Sequence, residues 1–397
     1  MMNIALKKSR PLCALLFALC FAVLSYADEF YWEHPQRFSP KNGQFLKTAS
    51  NKNVSAVIWE EAAKTTGGEN VVYISAAVYS KEKWNIYERI SEPIPYAESV
   101  PSLASVTIGN DNSILIAAVK NRNTIIFLKS EDEGKTFERK YVRTELYDLL
   151  SPYLSVGANG KYLLFISHGA DEKFSIYSSS SADGFSWDPL TELNLGRSTN
   201  RAFLPVHTAA GKNDVIVFQA SDLNDKRQLY ALFSSYSSDG GATWSKPAKI
   251  TPSGDYQNQR PDVLYLNRER RIAVVWERNH FRQRKNEAAF MKLGFRGEPV
   301  SELEQISEHS ESVFNPKIAL YRDAPFIAWT SESNGKSNLY IATKQKQKWS
   351  AERVRNFGGT LLFACPFSLD NHLQLLWQEG NITQNIMRIS PDDKVGK

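Results

Sequence analysis

The sequence predicts an all-β protein, a seven-bladed β-propeller of four-stranded antiparallel blades, with a six-bladed ring as the alternative. A proline recurs about every 50 residues, at Pro101, Pro152, Pro205, Pro261, Pro316 and Pro366. After each proline come a short apolar strand, a polar turn and a second strand. One antiparallel unit repeated at a fixed period is typical of propellers.

The second strand of most units is rich in β-branched residues and ends on an aromatic. These segments are residues 54–59, 163–165, 215–218, 272–276, 325–329 and 373–377. Their composition is typical of buried strands. A third strand, a tight turn and a fourth strand complete each unit, so that the unit is an antiparallel meander.

The first unit lacks the proline, but Trp59 follows Leu46 at the same spacing at which Trp329 follows Pro316. Counting this unit gives seven blades. Their predicted bounds are about 44–95, 96–147, 148–197, 198–253, 254–308, 309–358 and 359–390 plus 30–40.

The last unit contains residues for only three strands, and a segment that can supply its fourth strand lies at the other end of the chain. Residues 32–40 match residues 244–252, which follow a turn in the fourth unit, with Trp, Pro and Pro in the same positions. We therefore expect the N-terminal strand to pair into the last blade. Closure of this kind leaves no free sheet edge between the first and last blades.

Residues 1–27 are predicted to be a signal peptide. Lys7, Lys8 and Arg10 precede an apolar run that ends in the small-residue exit Ser25-Tyr26-Ala27. We expect cleavage after Ala27, a secreted or periplasmic protein without a transmembrane segment, and a single domain over residues 28–397. An uncleaved membrane anchor is the alternative.

Charge and cysteine content say little about partners once this segment is set aside. The net charge of +5 for the whole chain includes the three N-terminal cations, so the remainder is close to neutral and no nucleic-acid partner is predicted. Cys365 is the only cysteine outside residues 1–27. No intrachain disulfide is then possible, and an inert packed thiol is expected.

A short motif recurs between the third and fourth strands. Two copies follow the pattern Ser-x-Asp-x-Gly-x-Thr-aromatic and a third is one residue shorter. The structural residues of these turns are Ser130, Asp132, Gly134 and Phe137; Ser237, Asp239, Gly241 and Trp244; and Ser181, Asp183 and Trp187. The Asp can accept N–H groups of its own turn, the Gly supplies a positive φ, and the aromatic anchors the turn on the blade. One carboxylate per turn is too few for a calcium loop.

With these motifs in register with the repeat, the sequence resembles the Asp-box (BNR-repeat) β-propellers, the family that includes the sialidases. The resemblance implies either a binding module or a glycosidase. Sialidases hold the substrate carboxylate with three arginines and use a Tyr–Glu nucleophile and an Asp acid/base. Here the Phe-Arg-Ile-Pro signature is absent, and the three corresponding strand starts carry Arg201, Arg260 and Asn315.

We therefore expect a non-catalytic module that binds a glycan, peptide or protein at the funnel mouth, with a sialidase-like exo-glycosidase acting on an acidic sugar as the alternative. The candidate ligand-binding residues are Arg201, Arg260, Glu277, Arg278, Arg282 and Glu60. The loop 276–285 holds four cations, which predicts either an anion site or a solvated loop. No cofactor or metal is predicted, because the six histidines are scattered without metal-ligand spacing. A monomer is expected.

Overall fold

The computed structural model describes residues 32–95, 104–170, 173–194, 199–283, 286–307, 312–333, 335–345, 347–369, 372–380 and 384–391. The predicted signal peptide and Pro101 lie outside these residues. All helix or strand structure in the described part of the chain is β-strand. No helix long and apolar enough to span a membrane occurs among these residues.

The strands, numbered β1 to β29 in chain order, form seven antiparallel sheets arranged as a β-propeller, which confirms the predicted fold class and blade number. Strand β1 (Gln36–Arg37) is the first in the chain. Blade 1 contains β2 (Gln44–Ser50), β3 (Ser55–Lys64), β4 (Asn70–Ser80), β5 (Lys83–Tyr87) and the short β6 (Ile94–Pro95). Blade 2 contains β7 (Ser105–Ile108), β8 (Ile114–Lys120), β9 (Thr124–Ser130) and β10 (Glu138–Arg143). Blade 3 contains β11 (Leu149–Val156), β12 (Tyr162–Ala170), β13 (Lys173–Ser181) and β14 (Thr191–Glu192).

The remaining blades have the same order. Blade 4 contains β15 (Thr199–Ala210), β16 (Asn213–Asp222), β17 (Tyr230–Ser237) and β18 (Ala248–Lys249). Blade 5 contains β19 (Tyr256–Leu266), β20 (Arg271–His280), β21 (Asn286–Leu293) and β22 (Glu304–Gln305). Blade 6 contains β23 (Ser312–Tyr321), β24 (Ala324–Ser333), β25 (Lys336–Gln345) and β26 (Lys348–Phe357). Blade 7 contains β27 (Thr360–Leu369), β28 (His372–Gly380) and β29 (Gln384–Ile389), and β1 is its outermost strand.

The ring closes as predicted, by pairing of the N-terminal strand β1 with β29. Gln36 lies opposite Arg388, and the Phe38 N–H donates to the Ile386 carbonyl over 2.7 Å. The Phe38 ring then packs edge-on against Trp84, with ring centroids 4.9 Å apart. Because Trp84 belongs to blade 1, this one segment ties the last blade to the first.

The hydrophobic core lies between neighbouring blades and is centred on the second strands. The predicted segments end on Trp59, Phe165, Phe218, Trp276 and Trp377, which are each less than 2% exposed, whereas the observed strands continue three to five residues beyond these aromatics. One cluster joins blades 7 and 1 around Trp59, and another joins blades 4 and 5 around Trp276. The predicted burial of the second strands is therefore correct, and each large aromatic stabilises a contact between two blades.

The tight turns before the fourth strands are held by their own serine and aspartate. In the turn of blade 4 the Ser237 hydroxyl donates to Asp239 over 2.7 Å and accepts from the Gly241 N–H over 2.8 Å. The Thr243 N–H donates to the Asp239 carboxylate over 2.9 Å. The turns at Asp132 and Asp183 have equivalent bonds. These contacts rigidify each hairpin; membership of the Asp-box family stays a prediction.

Acidification should weaken the turn of blade 4, because hydrogen bonds from Thr243 lower the pKa of Asp239 to about 2. A carboxylate with a lowered pKa stabilises the fold above its unfolded pKa of about 3.9, and this contribution is lost as the pH falls towards 2. We expect Asp239→Asn to lower the unfolding midpoint at pH 7 and the difference from wild type to shrink between pH 4 and 2.5. Denaturant titrations at a series of pH values measure this.

Asp323 provides the matched control for this experiment. It lies in an exposed hairpin turn of blade 6 and makes no side-chain hydrogen bond with the described part of the chain. The difference between Asp323→Asn and wild type should stay nearly constant over the same pH range. A constant difference for Asp239→Asn as well would show that its carboxylate does not hold the turn.

Candidate functional site

A repeated backbone irregularity surrounds the centre of the propeller. The first strand of each of six described blades carries a β-bulge, where the register slips next to a non-glycine residue with φ between +49° and +56°. The bulge residues at equivalent positions of the blades are Phe45, Ser151, Leu204, Arg260, Asn315 and Phe363, and Arg201 lies at a second register slip in blade 4. Such conformations cost energy, and bulges commonly re-aim side chains next to binding sites. The corresponding segment of blade 2 lies outside the described residues.

The bulges explain the periodic prolines of the sequence. In blades 3 to 6 the proline directly follows the bulge residue, as Pro261 follows Arg260. In blade 7 this position is occupied by Ala364, and Pro366 lies two residues further along. In blade 1 it is occupied by Leu46, in keeping with its predicted equivalence to Pro316.

Side chains of the second strands fix these bulges across the blade boundaries. The Gln219 side-chain carbonyl accepts from the Arg260 N–H over 2.8 Å, and the Gln378 carbonyl accepts from the Phe45 N–H over 3.0 Å. Glu277 accepts from the Asn315 N–H over 3.3 Å. In each case the acceptor directly follows the buried aromatic of the preceding blade, so that packing between blades also positions the central residues.

Five of the six bulge residues, all except Phe45, are among the described residues that line a central cavity of about 340 Å³. Its described lining residues are Lys47, Ser151, Pro152, Tyr153, Leu204, Pro205, Val206, Arg260, Pro261, Phe314, Asn315, Lys317, Thr330, Leu362 and Phe363. A second cavity of about 210 Å³ shares Lys47, Pro152, Tyr153, Asn315, Lys317 and Phe363 with the first. The central cavity thus combines aromatic and proline walls with amide, hydroxyl and cationic groups, the composition of a ligand pocket.

Arg260 forms an ion pair with Glu277, which is shorter than the Lys317–Asp262 pair at the same cavity. Arg260 Nη1 lies 2.8 Å from Glu277 Oε2, and Glu277 Oε1 accepts from the Asn286 amide over 2.9 Å. The Glu277 side chain is buried, whereas that of Arg260 is 45% exposed. Glu277 is therefore saturated with hydrogen bonds and orients Arg260, whose guanidinium retains N–H groups for a ligand.

The residues two positions beyond the bulges add a second charged group. Lys317 Nζ lies 3.6 Å from Asp262 Oδ1, while Asp262 Oδ2 accepts from the Ile318 N–H over 2.9 Å. Lys47 lines the same space, and burial together with the charge of Lys317 lowers its pKa. Cys365 is buried nearby, and burial raises the pKa of its thiol to about 11. At neutral pH this thiol stays protonated and inert.

The other predicted ligand-binding residues lie apart from this pair. Arg278 stacks on Tyr256, with its guanidinium carbon 3.4 Å from the ring centroid, and Arg282 is exposed. Glu60 is buried in β3. Arg201 is exposed at the start of β15 and is not among the described residues that line the central cavity. Of the six predicted residues, Arg260 lines the central cavity, and Glu277 contacts it through the ion pair with Arg260.

The described lining residues of the central cavity do not assemble the constellation implied by the sialidase resemblance. Among the described lining residues, Arg260 provides the single guanidinium. The lining Tyr153 donates its hydroxyl to the His207 carbonyl over 3.4 Å, and burial raises its pKa. No group of three or more His, Cys, Asp or Glu side chains in the described chain could hold a metal ion.

Sequence reasoning missed Lys47, Tyr153, Lys317 and Phe363. The missed signal is positional: Lys47, Tyr153 and Lys317 each lie two residues beyond a bulge, and four of the bulge residues that line the cavity are directly followed by proline in the sequence. Aligning the repeats on these dipeptides places Lys317 in the ring, whereas Lys47 follows Phe45-Leu46 and aligns only through the spacing from Leu46 to Trp59.

Comparison with solved structures shows the fold alone. A protein of unknown function from Dyadobacter fermentans superposes with a TM-score of 0.56 at 12% identity, over 74% of this chain and 95% of its own. An α-L-arabinanase from Penicillium chrysogenum, complexed with arabinobiose, gives 0.54 at 14% identity over 75% and 96% of the two chains. The polysaccharide lyase Uly1 gives 0.54 at 11% identity over 93% and 94%. No family model and no curated protein matches the sequence.

Proposed function

We propose that the protein is an exported glycan-binding module whose ligand enters the central cavity. The observation that carries this proposal is the ring of bulges. The bulge residues adopt strained backbone conformations, and aromatic, amide and cationic side chains around them line one cavity of about 340 Å³. A volume of this size accommodates one or two sugar units. Export rests on the predicted signal peptide.

A glycan suits the lining better than a peptide does. Sugar rings have apolar C–H faces that stack on aromatic rings, and their hydroxyls need donors and acceptors at the rim. Phe314 and Phe363 supply aromatic surface, while Asn315, Thr330 and Arg260 supply polar groups. The arabinanase and the polysaccharide lyase with the same fold act on or bind saccharides, as their names state, which is consistent with this proposal.

Binding without hydrolysis is favoured by the state of the acidic groups. Ordinary glycoside hydrolysis needs two available carboxyl groups on either side of the scissile bond. Glu277 is committed to Arg260 and Asn286, and Asp262 to Lys317 and the Ile318 N–H. A sialidase-like exo-glycosidase remains the alternative, and clear turnover of a fluorogenic sialoside that is abolished by Arg260→Ala would establish it.

Arg260→Ala should weaken oligosaccharide binding on the order of tenfold or more, because it removes a charge-assisted donor from the cavity. The measurement is calorimetric titration with the oligosaccharides that bind wild type on a glycan array, arabino-oligosaccharides included. Thermal unfolding of the variant shows whether it is still folded, since Glu277 loses its partner.

Arg268→Ala is the matched control, because Arg268 lies exposed in the turn after β19, at the opposite end of the strand that carries Arg260. Its affinity should equal that of wild type. Absence of any binding on the array, or equal affinities for the two variants, would contradict a glycan site at the central cavity.

A further inference from the structure

We infer that the ligand of the central cavity carries an anionic substituent, a carboxylate or a sulfate ester, that binds between Lys47 and Lys317. This inference rests on the proposed function and specifies the class of saccharide. Neither lysine was among the residues that the sequence singled out.

The two lysines come from different blades and line the same two cavities. Lys47 is on β2 in blade 1 and Lys317 on β23 in blade 6, each two residues beyond its bulge. Both line the 340 Å³ cavity and the 210 Å³ cavity. An anion at the junction of the two spaces would therefore be within reach of both ammonium groups.

The other two described cations that line the cavity are paired with acidic side chains, whereas Lys47 is available to bind a ligand anion. Lys317 has Asp262 at 3.6 Å, and Arg260 has Glu277 at 2.8 Å. Lys47 makes no hydrogen bond or ion pair within 4 Å in the described part of the chain, although it is half-buried. Desolvating an ammonium group is costly unless an anion compensates it, and a second cation nearby adds to the cost. A bound anion would remove both penalties.

Arg260 would complete the recognition of the sugar. Arg260 lines the same cavity, and its ion pair with Glu277 fixes the orientation of the guanidinium. An acidic saccharide could then place its anionic group between the lysines and its ring hydroxyls against Arg260 and Asn315. The walls formed by Tyr153, Phe314 and Phe363 would cover the apolar faces of the ring.

Ligand-induced thermal stabilisation tests the inference with three probes: D-glucuronate, glucose 6-sulfate and D-glucose. A ligand that binds the folded state raises the unfolding temperature according to its concentration and affinity. We expect glucuronate or the sulfate to stabilise wild type and to bind at least tenfold more tightly than glucose, and the preference to disappear in Lys47→Met. Lys52→Met, an exposed lysine in the turn after β2, should retain it.

The outcomes separate the inference from the proposed function. Equal stabilisation by all three sugars, or by none, overturns the anion site, while the glycan array decides independently whether any saccharide binds. Retention of the preference in Lys47→Met overturns it as well. Stabilisation by glucuronate alone identifies a carboxylate, and by the sulfate alone a sulfate ester.

The pH profile distinguishes recognition by Lys47 from a structural effect. The charged groups that face Lys47 are Lys317, Asp262 and Glu60, together with the thiol of Cys365. Because the pKa of Lys47 is lowered, anion affinity should fall as the pH rises through it, below the ordinary lysine range. In Lys47→Arg the guanidinium keeps its charge, so the affinity should persist to higher pH. Identical profiles for the two proteins would contradict the role of Lys47.

Discussion

Removal of residues 32–40 should abolish the folded monomer. This segment supplies β1, the hydrogen bonds of Phe38 and Ser39 to Ile386, and the Phe38 ring that packs on Trp59 and Trp84. Without it, β29 becomes a free sheet edge and the contact between blades 7 and 1 loses its outer layer. A domain is stable by only about 5–15 kcal/mol, so loss of a whole strand removes a large share of this. Size-exclusion chromatography and circular dichroism would show unfolding or oligomers.

Two point variants make the same prediction quantitative. Phe38→Ala should lower the free energy of unfolding by about 3–5 kcal/mol, the usual cost of emptying a buried aromatic site. Gln36→Ala, on the exposed strand β1, should change it by about 0.5 kcal/mol or less. A truncated protein that stayed monomeric with an unchanged melting curve would contradict closure by this strand.

The fold could be predicted because each blade repeats the same local requirements. Aromatic residues such as Trp59 and Trp377 lie in buried strands, and Asp239 and Gly241 mark a tight turn. These signals are local, so they survive in a single sequence. The closing strand was predictable for the same reason, since its residues match those after a turn in the fourth unit.

The central cavity could be predicted only in part, because its residues converge from different blades. Arg260 stands out as a charged residue before a proline, and Glu277 as an acid after a buried tryptophan. Lys47 gives no such signal, since its bulge is not followed by proline and its lysine neighbour lies more than half the chain away. In the predicted loop 276–285, Arg278 stacks on Tyr256 within its own blade, and an anion site at this loop stays a prediction.

The bulges are connected to the hydrophobic cores between blades by side-chain hydrogen bonds. Gln219 and Glu277 each follow a buried aromatic of one blade and hold the bulge of the next, so a shift at the core reaches the central cavity through one peptide unit. A change in packing far from any ligand should therefore alter binding together with stability.

Trp276→Ala should show this coupling most strongly. The indole is fully buried between blades 4 and 5, and its Nε1–H donates to the Asn258 side chain over 2.8 Å. The substitution should cost about 3–5 kcal/mol of unfolding free energy and reduce oligosaccharide affinity, because Glu277 and hence Arg260 lose their support. Trp276→Phe keeps most of the packing and should cost about 1–3 kcal/mol of unfolding free energy, chiefly because the buried Asn258 oxygen loses its donor.

Phe281→Ala is the control, because this aromatic residue of the same blade is 51% exposed. It should cost about 0.5 kcal/mol or less and leave the affinity unchanged. Denaturant unfolding and calorimetric titration on the three variants measure both quantities, and a destabilised Trp276→Ala with wild-type affinity would show that the core and the cavity are independent.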